Sequence, residues 1–141
     1  MKNVCCIVLL LCCCNIFISC ISMKNKNNDL EIINEKCWLS DFEVIDNKVL
    51  VKCIITIKNN TGNNIKYKIN AISKEDVATG LLKNEILEGF KEDLMNNIFN
   101  ISANEIIEYE KIVFIGDFAG NILKRDRNIP DKINIIILER I

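Results

Sequence analysis

Lys48-Val-Leu-Val-Lys-Cys-Ile-Ile-Thr-Ile-Lys58, then Asn59-Asn-Thr-Gly-Asn63, then Asn64-Ile-Lys-Tyr-Lys-Ile-Asn-Ala71 is the stretch on which the fold turns. Val49, Val51, Cys53, Ile55 and Ile57 fall on one face of an extended chain, and Lys48, Leu50, Lys52, Ile54, Thr56 and Lys58 make the other face mixed. A period of two is the signature of a strand with one buried side. The Asn-rich pentad carries the residues that favour turns, and Ile65, Tyr67, Ile69 and Ala71 resume the alternation beyond it.

Upstream, Trp38, Phe42 and Val44 alternate into Asp46-Asn47, a pair suited to a two-residue hairpin turn. Trp38 begins this strand, which predicts that it packs into the core. Downstream, Ile98–Ile101 alternates. Ile106 through Tyr109, Ile112, Val113, Phe114 and Ile115 forms a β-branched and aromatic run fit for a central strand. Gly116-Asp117 and Ala119-Gly120 break it around Phe118, and the chain ends in Ile133, Ile135, Ile136, Ile137 and Leu138, which read as a strand buried on both faces.

Residues 73–97 are ambiguous. Leu82, Ile86, Phe90 and Leu94 recur every four residues, predicting a short helix near 81–95 with Thr79 or Asp76 as N-cap. Gly80 and Gly89 oppose a long helix, and the same residues fit two short strands joined by turns. The pattern as a whole predicts a mainly-β protein, an antiparallel immunoglobulin-like sandwich of about seven strands.

A different signal precedes it. Lys2, an apolar run from Val4 to Ile18, and Ser19 before Cys20 have the order of an export signal. The run covers about fifteen residues, short of the roughly twenty that cross a bilayer. Ser19-Cys20 resembles the lipobox of bacterial lipoproteins, in which the signal is cut before a lipid-bearing cysteine; Phe17 stands where that family usually has Leu, Val or Ile. Two other readings use the same stretch: an uncleaved anchor extending through Met23, or an ordinary secretory signal ending at Ser19. The organisation expected is a signal helix at 1–19, a lipidated cysteine with flexible tether at 20–35, and a sandwich at 36–141.

With the lipobox-like Cys20 and its tether, the run Asp41-Phe42-Glu43-Val44 leading to Ile54-Ile55-Thr56-Ile57-Lys58-Asn59-Asn60-Thr61-Gly62 resembles small Ig-like lipoproteins of Gram-positive bacteria, of the FxLYD and telokin-like kinds. The resemblance covers mainly residues 20–72. It implies a surface-exposed, non-catalytic sandwich at the outer face of the cell membrane.

Five of the eight cysteines (Cys5, Cys6, Cys12, Cys13, Cys14) lie in the apolar run, where they act as small hydrophobes. A two-residue turn at Asp46-Asn47 would set Cys37 opposite Thr56, on the other face from Cys53, so two free thiols are expected unless a bulge changes the register. The chain has no histidine, which excludes His-based acid–base and nucleophile systems and His-containing zinc sites. No phosphate loop appears, and no cofactor or metal is expected. Asp117, Asn121, Asp126 and Asp131 offer oxygen ligands for calcium, but not with the spacing of an EF-hand.

With 18 basic and 19 acidic residues there is no basic excess to attract nucleic acid. The candidate interaction residues are Glu75 and Asp76 in the loop after Ile72, and Lys124, Arg125 and Arg127 in the loop after Phe118. Glu75-Asp76 reads more simply as a turn or helix start, and the basic trio as a solvated loop interrupted by Asp126. The function expected is a membrane-tethered module for a protein or cell-wall partner; the alternatives are a secreted carboxylate-dependent hydrolase and a purely structural envelope component. Sequons at Asn59 and Asn100 bear only on a eukaryotic source.

Overall fold

The computed structural model describes residues 29–122 and 130–141. The expected signal with Ser19 and the lipid-bearing Cys20, and the basic cluster Lys124, Arg125 and Arg127, lie outside the described residues.

The protein is mainly β, an antiparallel sandwich whose single sheet curls towards a barrel. Among the described residues the strands are β1 (Leu30–Ile32), β2 (Trp38–Ile45), β3 (Lys48–Asn59), β4 (Ile65–Ile72), β5 (Ile86–Lys91), β6 (Phe99–Ile101), β7 (Ile106–Asp117) and β8 (Lys132–Arg140), with one short α-helix, α1 (Lys74–Ala78). That is one strand more than the sequence pattern suggested. β1 falls in the stretch expected to be a tether, and with the 3-10 turn Asn34–Lys36 it brings the sheet upstream of residue 36.

The main path across the sheet runs β1-β3-β7-β5-β4, with β2 continuing the β1 edge of β3 and β8 pairing β4 on its far side. Alternation explains the core. Val49, Val51, Cys53, Ile55 and Ile57 of β3 and Ile65, Tyr67, Ile69 and Ala71 of β4 are all buried, as are Ile112 and Phe114 of β7. Asp46 and Asn47 have φ of 50° and 60°, the left-handed pair that a tight hairpin turn requires.

Bulges give the sheet its curl. In β2 the partner of Cys53 is Leu39 and that of Lys52 is Asp41, so Ser40 is an extra residue. In β7 the partners step from Ile112 to Tyr109 while β3 advances only from Cys53 to Ile55. Extra residues on both neighbours of β3 at one level increase the local twist and bend the sheet inward.

The β2 bulge also reverses side-chain parity. Phe42 and Val44 face the core on one side of it, and Leu39 and Cys37 on the other. Trp38, expected in the core, is therefore turned outward and is 48% exposed. Cys37 lies on the same face as Cys53 rather than the opposite one, and both are free thiols.

Two further expectations are corrected. The segment 81–95 is not a helix: the helix lies upstream at Lys74–Ala78, and Ile86–Lys91 is a strand with Leu87 and Gly89 inward and Ile86 and Glu88 outward. Ser73 is its N-cap residue and Thr79 its C-cap, so neither Thr79 nor Asp76 caps its start. The last strand, expected to be buried on both faces, has Ile133, Ile135 and Ile137 half-buried against the core and Ile136 and Leu138 exposed. Among the described residues it is an edge strand, paired only with β4.

Gly89 marks the corner where β5 passes from β4 to β7. A Cβ there would lie 2.6 Å from the Ile69 carbonyl oxygen and 3.0 Å from the Phe114 ring, so only glycine lets the backbones approach this closely.

Candidate functional site

The two loops singled out from the sequence meet at one end of the barrel. Ala119 N–H donates to the Leu81 carbonyl at 2.8 Å, Asn121 N–H to the Gly80 carbonyl at 3.1 Å, and Phe118 forms a bridge with Leu82. The Asn121 side-chain amide donates to the Thr79 carbonyl at 2.9 Å. Phe118 N–H reaches the Asn47 carbonyl of the β2–β3 turn at 2.9 Å, so three connections form one continuous cap.

Within this cap the two acidic candidates part company. Glu75 is exposed in the first turn of α1, whereas Asp76 is buried, accepting a hydrogen bond from the Ser73 hydroxyl at 2.5 Å. The Asp76 main-chain carbonyl also receives Leu81 and Leu82 N–H at 2.9 and 3.1 Å. Asp76 thus organises the loop from inside and offers no surface contact.

The oxygen ligands considered for calcium are dispersed. Asp117 pairs with Lys48 at 2.5 Å, which holds its carboxyl below the usual carboxylate range, and Asp131 accepts the Lys74 N–H at 2.8 Å. Asp126 lies outside the described residues. Among the described residues no group of three or more histidines, cysteines and acids is placed to hold a metal.

A groove that single-sequence reading missed lies along the open seam of the barrel. It has a volume of about 760 Å³, and Leu30, Ile32, Cys37, Ile133 and Ile135 contribute apolar and thiol surface between β1 and β8. Ile32, Cys37, Ile133 and Ile135 face inward but remain half-buried, while the residues paired with three of them, Ile57, Ala71 and Ile69, are fully buried. At one end the seam is closed by Arg140, whose Nε and a terminal nitrogen both lie 2.6 Å from Asp29 Oδ2.

Burial pushes the Cys37 thiol above its ordinary pKa, against a hydrogen bond with the Thr56 backbone, and so keeps it protonated. A nucleophilic cysteine needs the opposite shift. The one signal towards it in the sequence is the isoleucine-rich last strand, but nothing in a single sequence says which strand faces β8 across a gap. Among the described residues no helix is long and apolar enough to cross a membrane.

No family model matches the chain, and neither the curated proteins nor the solved structures include a significant match to it.

Proposed function

We propose that this chain is an extracytoplasmic lipoprotein, held at the cell membrane through an acylated Cys20, whose non-catalytic β-sandwich binds a protein or cell-envelope partner. The observation that carries the reading is the order Lys2, Val4–Ile18, Ser19-Cys20 ahead of a chain that folds from Leu30 onward. The resemblance to small Ig-like lipoproteins of Gram-positive bacteria belongs to the same reading.

A tether gives a weak binder a high local concentration, so modest affinity is enough for a useful occupancy. The seam groove and the cap of three loops are the surfaces such a module would use. Metabolic labelling with a radioactive fatty acid tests the anchor: label is incorporated into the wild type and lost in Cys20→Ala. Label retained in the variant, or a wild-type chain found unlabelled in the cytosol, overturns it.

A further inference from the structure

The seam between β1 and β8 presents two sheet edges to each other. Every neighbouring pair along β1-β3-β7-β5-β4-β8 is antiparallel, so β1 and β8 themselves run in opposite directions. Direct pairing would close the barrel, yet no pairing joins them among the described residues. At its far end the Asp29–Arg140 ion pair spans the gap.

An edge strand carries main-chain N–H and C=O groups directed away from its one neighbour, and an extended peptide is the partner whose repeat matches them. Ile133 and Ile135 sit on the core-facing side of this edge, half-buried beside the groove. A strand laid along β8 would cover them with its own alternate side chains. The rim is acidic on balance, with Glu31 and Asp131 against Lys132, which favours a peptide bearing a lysine.

We propose that the β8 edge at Lys132–Ile135 receives an extended peptide of a partner protein, with alternating aliphatic residues and a basic side chain, added antiparallel to β8. This rests on the reading of the sandwich as a binding module and names the chemistry of its partner. An added strand antiparallel to β8 is necessarily parallel to β1. The longer antiparallel edge therefore supplies most of the hydrogen bonds, and the three-residue β1 supplies side-chain contact.

The test uses the full chain and a set of synthetic peptides of about six residues alternating valine or isoleucine with threonine or lysine. Amide hydrogen exchange is followed at peptide concentrations on the order of 1 mM, the weak end of measurable affinity. Alternate amides within residues 132–135 should slow about tenfold or more with the plain peptides. Peptides N-methylated at alternate positions keep the side chains but lose the edge bonds, and should give no slowing.

Glu31→Gln should weaken the lysine-bearing peptides about two- to fivefold and leave lysine-free ones unchanged. No slowing with any plain peptide, or equal slowing with the methylated ones, overturns the proposal. Slowing of the same amides by palmitate alone, or by raised protein concentration without peptide, also overturns it and assigns the edge to an acyl chain or to a second copy. Loss of fatty-acid labelling in Cys20→Ala is independent of this measurement, so failure of the anchor and failure of the peptide site are separable.

Discussion

The hydroxyl of Tyr67 lies 2.8 Å from that of Tyr109, joining the first half of β4 to the first half of β7 through a polar contact inside an aromatic cluster. Phe99 packs between the two rings, stacked at 5.7 Å on Tyr67 and edge-on at 5.3 Å to Tyr109. These are the chain's two tyrosines. Each hydroxyl meets the other's demand for a partner, so the pair keeps two polar atoms satisfied where apolar residues from three strands meet.

Burial raises the pKa of Tyr67 strongly and that of Tyr109 less so. Raised folded-state values mean that this contribution to stability is fully present below the unfolded value of about 10 and is lost as the pH climbs through the folded values. Phenolate absorbance should therefore show no step near pH 10 in the folded protein, and both tyrosines should ionise together with alkaline unfolding. A separate titration near pH 10 with the circular dichroism unchanged would refute this. Tyr67→Phe should cost about 1–2 kcal/mol in chemical denaturation, since Tyr109 loses its nearer partner.

Gly89 and Gly62 provide a paired test of backbone crowding. Nothing lies within 4 Å of a Cβ built at Gly62, while one at Gly89 meets a main-chain oxygen at 2.6 Å. Gly89→Ala should destabilise by about 2–4 kcal/mol, because a sheet carbonyl cannot step aside as a side chain can. Gly62→Ala should stay within about 0.5 kcal/mol of wild type. Equal midpoints for the two variants in urea would show that the β5 corner is looser than described.

The contrast between these glycines reflects what was legible in the sequence. Local signals were read well: Asp46-Asn47 and the Asn59–Asn63 turn bracket β3 where the residue types require. Long-range ones were not. The extra residue at Ser40 is set by how β2 lies on β3, and it alone decides that Trp38 faces solvent and Cys37 the core.

The four-residue spacing of Leu82, Ile86, Phe90 and Leu94 fits a strand as well as a helix, since four is also two periods of two. Leu82 is buried, but Ile86 is 62% exposed and Leu94 is exposed with φ 56°, so the four do not form one buried face. The pair Glu75-Asp76 reads from the sequence as a helix start and stands in the first turn of α1; the burial of Asp76 follows from the way the loop folds back on it through Ser73, Leu81 and Leu82, and the seam groove depends on strands far apart along the chain.

Cys37 and Cys53 should differ in reactivity although they share a face. Burial, with Cys37 nearby, pushes the Cys53 thiol up to about 12. Its thiolate fraction at neutral pH is then lower than that of a free cysteine by more than about a thousandfold. Iodoacetamide labelling with peptide mapping should modify Cys37 slowly in native buffer and Cys53 only after unfolding. Equal labelling, or a Cys37–Cys53 disulfide in the native protein, would contradict the described packing.

Asn59 is the polar pin of the opposite end of the barrel. It is fully buried, yet its amide donates to the Asn63 and Ser102 carbonyls, both at 2.8 Å, and its oxygen accepts from Thr61 N–H at 3.0 Å and the Thr61 hydroxyl at 2.8 Å. Asn59→Ala leaves those groups without their buried partner and should cost about 2–4 kcal/mol. Asn59→Asp is the sharper test, because a carboxylate would face the Asn63 and Ser102 carbonyls it can no longer donate to. Its folded pKa must rise above the unfolded value of about 3.9, so the native state is favoured with the acid protonated and loses stability as the pH rises through the folded value. The destabilisation of Asn59→Asp relative to wild type should therefore be smaller at pH 4 than at pH 7 in urea titrations. A difference that does not depend on pH would mean that this side chain is hydrated and that the turn is held by its backbone alone.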